Sequence, residues 1–184
     1  TVISRITDKK IASANLEEEL KEILYERDSI SVDRFDLLVA NAAILDIESP
    51  TDSGAFFAEA ADKLHLTAAL PKEEILRLLI ERERDGSTAI SPFIAIPHIV
   101  VPGTGRFTLL LARCRGGISF NEEHDSVKAA FILLGSRDER NFHLRALSAI
   151  AQVVQEEGFE ERWLSAKNEQ ALRDAILLGK RKRN

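Results

Sequence analysis

Two predominantly apolar runs, at 107–112 and 127–134, constrain the fold of this chain more than any other feature of its sequence. A strand with one face in solvent alternates apolar and polar residues, so a run in which apolar residues follow one another predicts a strand buried on both faces. We therefore expect both runs to form central strands, the second of them ending at Gly135. Two shorter segments, each followed by a proline, are also predicted to be extended: 44–47 and 93–96.

Apolar residues recur at helical spacing between the N-terminal part of the chain and these strands. One helix is predicted from about Asp33, and a second is predicted to be capped by Ser53. A third helix has Pro71 in its first turn, where a missing N–H is tolerated, and Gly86 as its left-handed cap. The pattern thus predicts helices that pack on the sheet.

Two further helices are predicted to close the chain. The first runs from about Asn141 and is expected to turn Leu144 and Leu147 inward, and the second runs from about Glu169 to Gly179. Helices before and after a set of buried strands are typical of an α/β layered domain.

The first 32 residues carry a separate amphipathic pattern, which predicts a helix over about residues 8–28. We expect residues 1–32 to form an N-terminal helical extension or linker and residues 33–184 to form the main domain. The chain begins with Thr1 and contains no methionine. This is consistent with a cytoplasmic domain that is tethered to the inner face of the membrane as part of a longer chain.

Composition excludes several classes of function. The formal net charge of −5 disfavours nucleic acid as a partner. Cys114 is the only cysteine, so no internal disulfide and no cysteine-based zinc site can form, which fits a reducing cytoplasmic setting. The four histidines are not spaced as metal ligands, and no nucleotide-binding or hydrolase motif is present. We therefore expect neither a metal nor a cofactor.

His98 is the candidate for chemistry, because it directly follows an apolar segment and Pro97. Proline ends the donation of ladder hydrogen bonds, which should place His98 at the end of a strand, where α/β domains gather their sites. A neutral imidazole there could accept a phosphoryl group. Taken alone, the pattern equally describes a histidine at the start of a loop with no task.

The segments around His98 carry a more specific pattern. Arg82-Glu83 and Ser87-Thr88 precede Ala95-Ile96-Pro97-His98, and Gly117-Ile118-Ser119-Phe120 and His143-Leu144-x-x-Leu147 follow it. Together they resemble the enzyme IIA domains of the fructose–mannitol class of the sugar phosphotransferase system. That class includes the nitrogen-regulatory enzyme IIA proteins. The resemblance covers roughly residues 33–178.

The resemblance implies a mixed β-sheet flanked by helices on both faces. It implies that His98 takes a phosphoryl group from an HPr-like phosphocarrier and passes it to an enzyme IIB-like acceptor, or uses it as a regulatory signal. Arg82 would lie near the phosphoryl group, and His143 would be the second histidine of the site. Ser87 and Thr88 would line the phosphate pocket.

The sequence also departs from the family pattern. Three glycines that the family usually carries between the threonine and the histidine are replaced by Ala89, Ser91 and Phe93, and Phe93 is expected to fill part of the pocket. This keeps an alternative open: a cytoplasmic regulatory domain of a membrane transporter, an ion or solute permease, with a degenerate or non-transferring site. The partner would then be the membrane part of the same longer chain. A homodimer is compatible with either interpretation, as is a vestigial site on an ordinary α/β domain.

Overall fold

A mixed six-stranded sheet lies at the centre of the computed structural model, which describes residues 18–21 and 32–183. The strands are β1 (Ala43–Ile47), β2 (Thr51–Asp52), β3 (Ile94–Ala95), β4 (His98–Val101), β5 (Phe107–Ser119) and β6 (Val127–Ser136). The long strands β5 and β6 are antiparallel to each other. The strands β1 and β2 run parallel to β5, and β3 and β4 run parallel to β6.

Helices cover both faces of the sheet. They are α1 (Arg34–Ala40), α2 (Ser53–Ala68), α3 (Lys72–Asp85), α4 (Arg140–Val154), α5 (Phe159–Ser165) and α6 (Glu169–Leu177), and a 3₁₀ turn (Arg137–Glu139) leads into α4. The helices α2 and α3 pack on one face, and α1, α4, α5 and α6 pack on the other. The predicted fold class, a mixed sheet with helices on both faces, is therefore confirmed.

The two predominantly apolar runs form parts of the central strands β5 and β6, as predicted. Leu109 and Leu111 of β5 belong to the core beneath α1 and α4, while Leu110 and Ala112 belong to the core beneath α2 and α3. All four side chains are at most 1% exposed. Period-two alternation places successive residues on opposite faces, so a strand covered on both sides needs apolar residues throughout.

Several predicted boundaries are wrong. Asp52, and not Ser53, is the N-cap of α2, because its carboxylate accepts from the Ala55 amide at 2.8 Å. Pro71 occupies the N-cap of α3 rather than its first turn. Gly86 has φ 158° and ψ 142°, which is not the left-handed helical conformation.

The end of β6 and the closing helices also differ from the prediction. β6 continues through Gly135 to Ser136, because Gly135 pairs with Phe107 of β5 and with Val100 of β4. The glycine leaves room for the Phe107 ring, which would lie 3.0 Å from a Cβ at this position. The helix α5 was not foreseen. Leu144 is 56% exposed instead of buried, because it does not share the inward stripe of Phe142, Ala146 and Ile150.

Residues 18–21 are helical, and most of the helix predicted over about residues 8–28 lies outside the described residues. Residues Arg34–Lys182 form one compact unit, and residues 1–33 with Arg183–Asn184 are assigned to another. Among the described residues, no helix combines the length and the apolar character that crossing a membrane requires.

Candidate functional site

His98 is the first residue of β4 and pairs in register with Leu133 of β6. Pro97 interrupts the path between β3 and β4, and its carbonyl accepts from the Leu133 amide at 3.0 Å. The interruption at Pro97 was predicted, but His98 begins a strand and does not end one. The half-buried imidazole is thus held by β6, a central strand of the sheet.

The hydrogen bonds of His98 determine which ring nitrogen is free. Nδ1 lies 2.8 Å from the carbonyl oxygen of Ile96. A carbonyl oxygen only accepts, so Nδ1 must carry the proton, and Nε2 is left with its lone pair. Nε2 is therefore the nucleophilic atom of the neutral ring.

Arg82 brings a permanent positive charge to that nitrogen. It lies in the last turn of α3, and its Nη2 is 3.4 Å from His98 Nε2 while its Nη1 donates to the Gly86 carbonyl at 3.0 Å. The bond to Gly86 fixes the direction of the guanidinium. An anionic group attached to Nε2 would therefore form beside a charge that suits phosphate oxygens.

His143 lies on α4 and faces His98. The two ring centroids are 5.3 Å apart and the rings are nearly perpendicular, with an interplanar angle of 71°. Burial lowers the pKa of His143, and the charge of the neighbouring His98 lowers it further. His143 is thus neutral near neutral pH, and one of its ring nitrogens can donate without adding charge.

A cavity of about 240 Å³ opens beside the two histidines. Its wall also contains Ser136, Arg137 and Arg140, which were not predicted although they lie within seven residues of His143 in the sequence. Phe93 does not belong to the wall and packs partly buried against the core, so the expectation that it fills the pocket is not supported. The lining consists of His98, Val100, Gly135, Ser136, Arg137, Arg140, His143, Leu144 and Leu147.

Ser87 and Thr88 make their hydrogen bonds elsewhere. The exposed Ser87 hydroxyl accepts from Asn121 Nδ2 at 3.0 Å. The Thr88 side chain is buried and donates to the carboxylate of Glu83, while its carbonyl accepts from the Ile96 amide at 2.9 Å. Thr88 therefore supports the segment that leads to His98, and neither residue belongs to the cavity wall.

Within the described ranges, no group of three or more His, Cys, Asp or Glu side chains is placed to hold a metal ion. The residues that converge here are instead imidazoles and guanidiniums, which are donors for an anion.

The fold and this site together define a class: an α/β domain with a paired-histidine, arginine-flanked pocket of the kind that suits a phosphoryl group. Residues 38–178 match the family model described as "Phosphoenolpyruvate-dependent sugar phosphotransferase system, EIIA 2". The chain belongs to this family.

Relatives and solved structures agree with this assignment. The chain is 27% identical over 142 residues to a nitrogen regulatory protein of Bradyrhizobium diazoefficiens, covering 77% of this chain and 93% of that protein. It is 29% identical over 106 residues to a fructose-specific EIIA component of Haloferax volcanii, covering 57% of this chain and 69% of that protein.

Among solved structures, the nitrogen regulatory protein IIA of Neisseria meningitidis superimposes with a TM-score of 0.66 at 26% identity, covering 73% of this chain and 92% of that one. The mannitol enzyme IIA of Escherichia coli, solved in complex with its phosphorylated enzyme IIB, superimposes with a TM-score of 0.59 at 15% identity. The match covers 79% of this chain and 96% of that one. The second likeness supports the fold.

Proposed function

We propose that His98 accepts a phosphoryl group on Nε2 from an HPr-like phosphocarrier and passes it to an enzyme IIB-like acceptor or uses it as a regulatory signal. The observation that carries the proposal is the 2.8 Å contact between His98 Nδ1 and the Ile96 carbonyl, since it directs the lone pair to Nε2 beside Arg82. Family membership supports it.

In the transfer step, the Nε2 lone pair forms a bond to phosphorus while the bond from phosphorus to the donor atom breaks. Nδ1 keeps its proton, so the phosphorylated ring carries positive charge, which the Ile96 carbonyl stabilises. Arg82 and a neutral His143 supply donors to the phosphoryl oxygens. Such a transfer depends on positioning and charge stabilisation.

The enzyme IIB-like acceptor is suggested by the mannitol enzyme IIA, which was solved with its phosphorylated IIB partner. The HPr-like donor follows from the resemblance of the motifs around His98. The alternative, a transporter-regulating domain with a degenerate site, is not favoured, because the relatives described above are phosphotransferase components and nitrogen regulatory proteins.

Incubation with phosphorylated HPr, followed by intact-mass measurement, tests the proposal. We expect wild type to gain one acid-labile phosphoryl group and His98→Ala to gain none. His65→Ala is the matched control, since His65 lies on α2, on the opposite face of the sheet, and should leave phosphorylation intact. An acid-stable product, or one that persists in His98→Ala, would contradict the proposal.

A further inference from the structure

The cavity beside His98 is larger than a phosphoryl group needs. A phosphate group has the size of roughly two to three water molecules at about 30 Å³ each. The cavity of about 240 Å³ would therefore keep more than half of its space after His98 was phosphorylated.

The charges on the cavity wall are positive and uncompensated. Arg137 and Arg140 both line it, and within residues 18–21 and 32–183 neither guanidinium forms an ion pair or a hydrogen bond. The acidic residues between them bind other groups than these two guanidiniums. Asp138 accepts from Ser136 Oγ at 2.6 Å and from the Gly105 amide at 2.8 Å, and Glu139 binds Arg34 at 2.7 Å.

Another part of the wall is apolar. Val100 and Leu144 line the cavity although they are 57% and 56% exposed, and Leu147 lies beside them. Large apolar side chains at the rim of a pocket with a few convergent polar groups are typical of a binding site for a small molecule. The cavity thus offers cationic donors on one side and an apolar surface on the other.

We propose that this cavity reversibly binds a small organic phosphate monoester. Its phosphate would contact Arg137 and Arg140, and its apolar body would cover Val100, Leu144 and Leu147. A dianion matches two free guanidiniums better than a carboxylate does. The proposal goes beyond the phosphocarrier function, because it involves no covalent step. Since His98 lines the same cavity, a phosphoryl group on His98 should weaken monoester binding through repulsion between the two anions.

Calorimetric titration of the full, unphosphorylated chain with phenyl phosphate and with inorganic phosphate tests the proposal. We expect phenyl phosphate to bind at least roughly tenfold more tightly, because only its ring can cover the apolar wall. Arg137→Gln and Arg140→Gln should each weaken phenyl phosphate binding by roughly tenfold, and Leu144→Ser should remove most of the preference for phenyl phosphate.

Lys63→Gln is the matched control, because it removes one exposed positive charge from α2, on the opposite face of the sheet. It should change neither affinity. Equal affinity for the two phosphates, or no saturable binding of either, would overturn the proposal. If phenyl phosphate fails to bind while the arginine variants slow phosphorylation by phosphorylated HPr, the arginines contact a protein partner and the small-ligand site is wrong.

The titration and the mass measurement fail independently. A chain that binds phenyl phosphate with the expected selectivity but never gains a phosphoryl group on His98 retains the ligand site and loses the phosphocarrier function. A chain that is phosphorylated on His98 but does not distinguish phenyl phosphate from inorganic phosphate retains the phosphocarrier function and loses the ligand site.

Discussion

Both carboxylate oxygens of Glu83 lie 3.1 Å from the backbone nitrogen of Thr88, and one of them also accepts from the Thr88 hydroxyl at 2.5 Å. Thr88 is only 4% exposed, so its two donors have no access to bulk water. The Thr88 carbonyl in turn accepts from the amide of Ile96, which lies two residues before His98. Glu83 therefore anchors, through Thr88, the segment that leads into His98.

Glu83→Ala should therefore lower the free energy of unfolding by about 1–3 kcal/mol, since it leaves buried donors unpaired. Chemical denaturation measures this effect. Glu81→Ala is the control, because Glu81 is exposed and forms a surface ion pair with Arg77, so its loss should cost less than about 1 kcal/mol. Equal losses in the two variants would show that the Thr88 contacts add no stability.

Arg82→Gln should slow the phosphorylation of His98 by at least roughly tenfold, because it removes the charge next to Nε2. Arg82→Lys should recover part of the rate, since lysine restores the charge without the planar fork. Initial rates with phosphorylated HPr give the comparison. Arg84→Gln, an exposed neighbour on α3, should keep the wild-type rate, and a similar loss there would mean that only the overall charge matters.

The sequence was sufficient for the parts of the fold that depend on burial pattern. Consecutive apolar residues suit a strand that is covered on both faces, so β5 and β6 were predictable from residues 107–112 and 127–134. The short helix α5 was not, because its seven residues begin after Gly158, whose left-handed conformation is set by the local chain path.

The proximity of His98 and His143 could not follow from periodicity, since 45 positions separate them in sequence. It was anticipated because both histidines lie in segments that resemble one family. Arg137 and Arg140 were missed for the opposite reason. A polar turn before a helix reads as solvated surface, and only the fold shows that its two arginines line a cavity.

Acidification should destabilise the protein through His143. Its pKa is lowered in the folded state by burial and by His98, whereas the unfolded chain has the ordinary value of 6.5. Below that value the unfolded state binds more protons than the folded state, so stability is complete above about pH 6.5 and is lost as the pH falls toward the folded pKa.

Denaturation curves at about pH 7.5 and about pH 5.5 measure this loss. In His143→Gln the difference in the free energy of unfolding between the two pH values should shrink, because the imidazole whose pKa is lowered by folding has been removed. His65→Gln should retain the wild-type difference. If His143→Gln has the same pH dependence as wild type, another group is responsible.

Arg113 should be among the most sensitive positions of the fold. Its side chain is 1% exposed, forms a two-point ion pair with Asp46 at 2.9 and 2.7 Å, and donates to the carbonyls of Trp163 and Ala166 at the end of α5. The pair also holds the pKa of Asp46 below its ordinary value. One arginine thus joins β1, β5 and α5.

Arg113→Ala should lower the free energy of unfolding by about 2–4 kcal/mol, because it leaves the buried carbonyls of Trp163 and Ala166 without a donor and leaves Asp46 only the longer pair with Arg115 at 3.9 Å. Arg115→Ala is the matched control two positions along the same strand. Arg115 is 38% exposed and pairs with Glu48 and, at 3.9 Å, with Asp46, so the loss of these exposed pairs should cost no more than about 1 kcal/mol. Chemical denaturation of both variants tests this prediction. Comparable losses in the free energy of unfolding would show that the buried contacts of Arg113 add no more stability than the exposed pairs of Arg115.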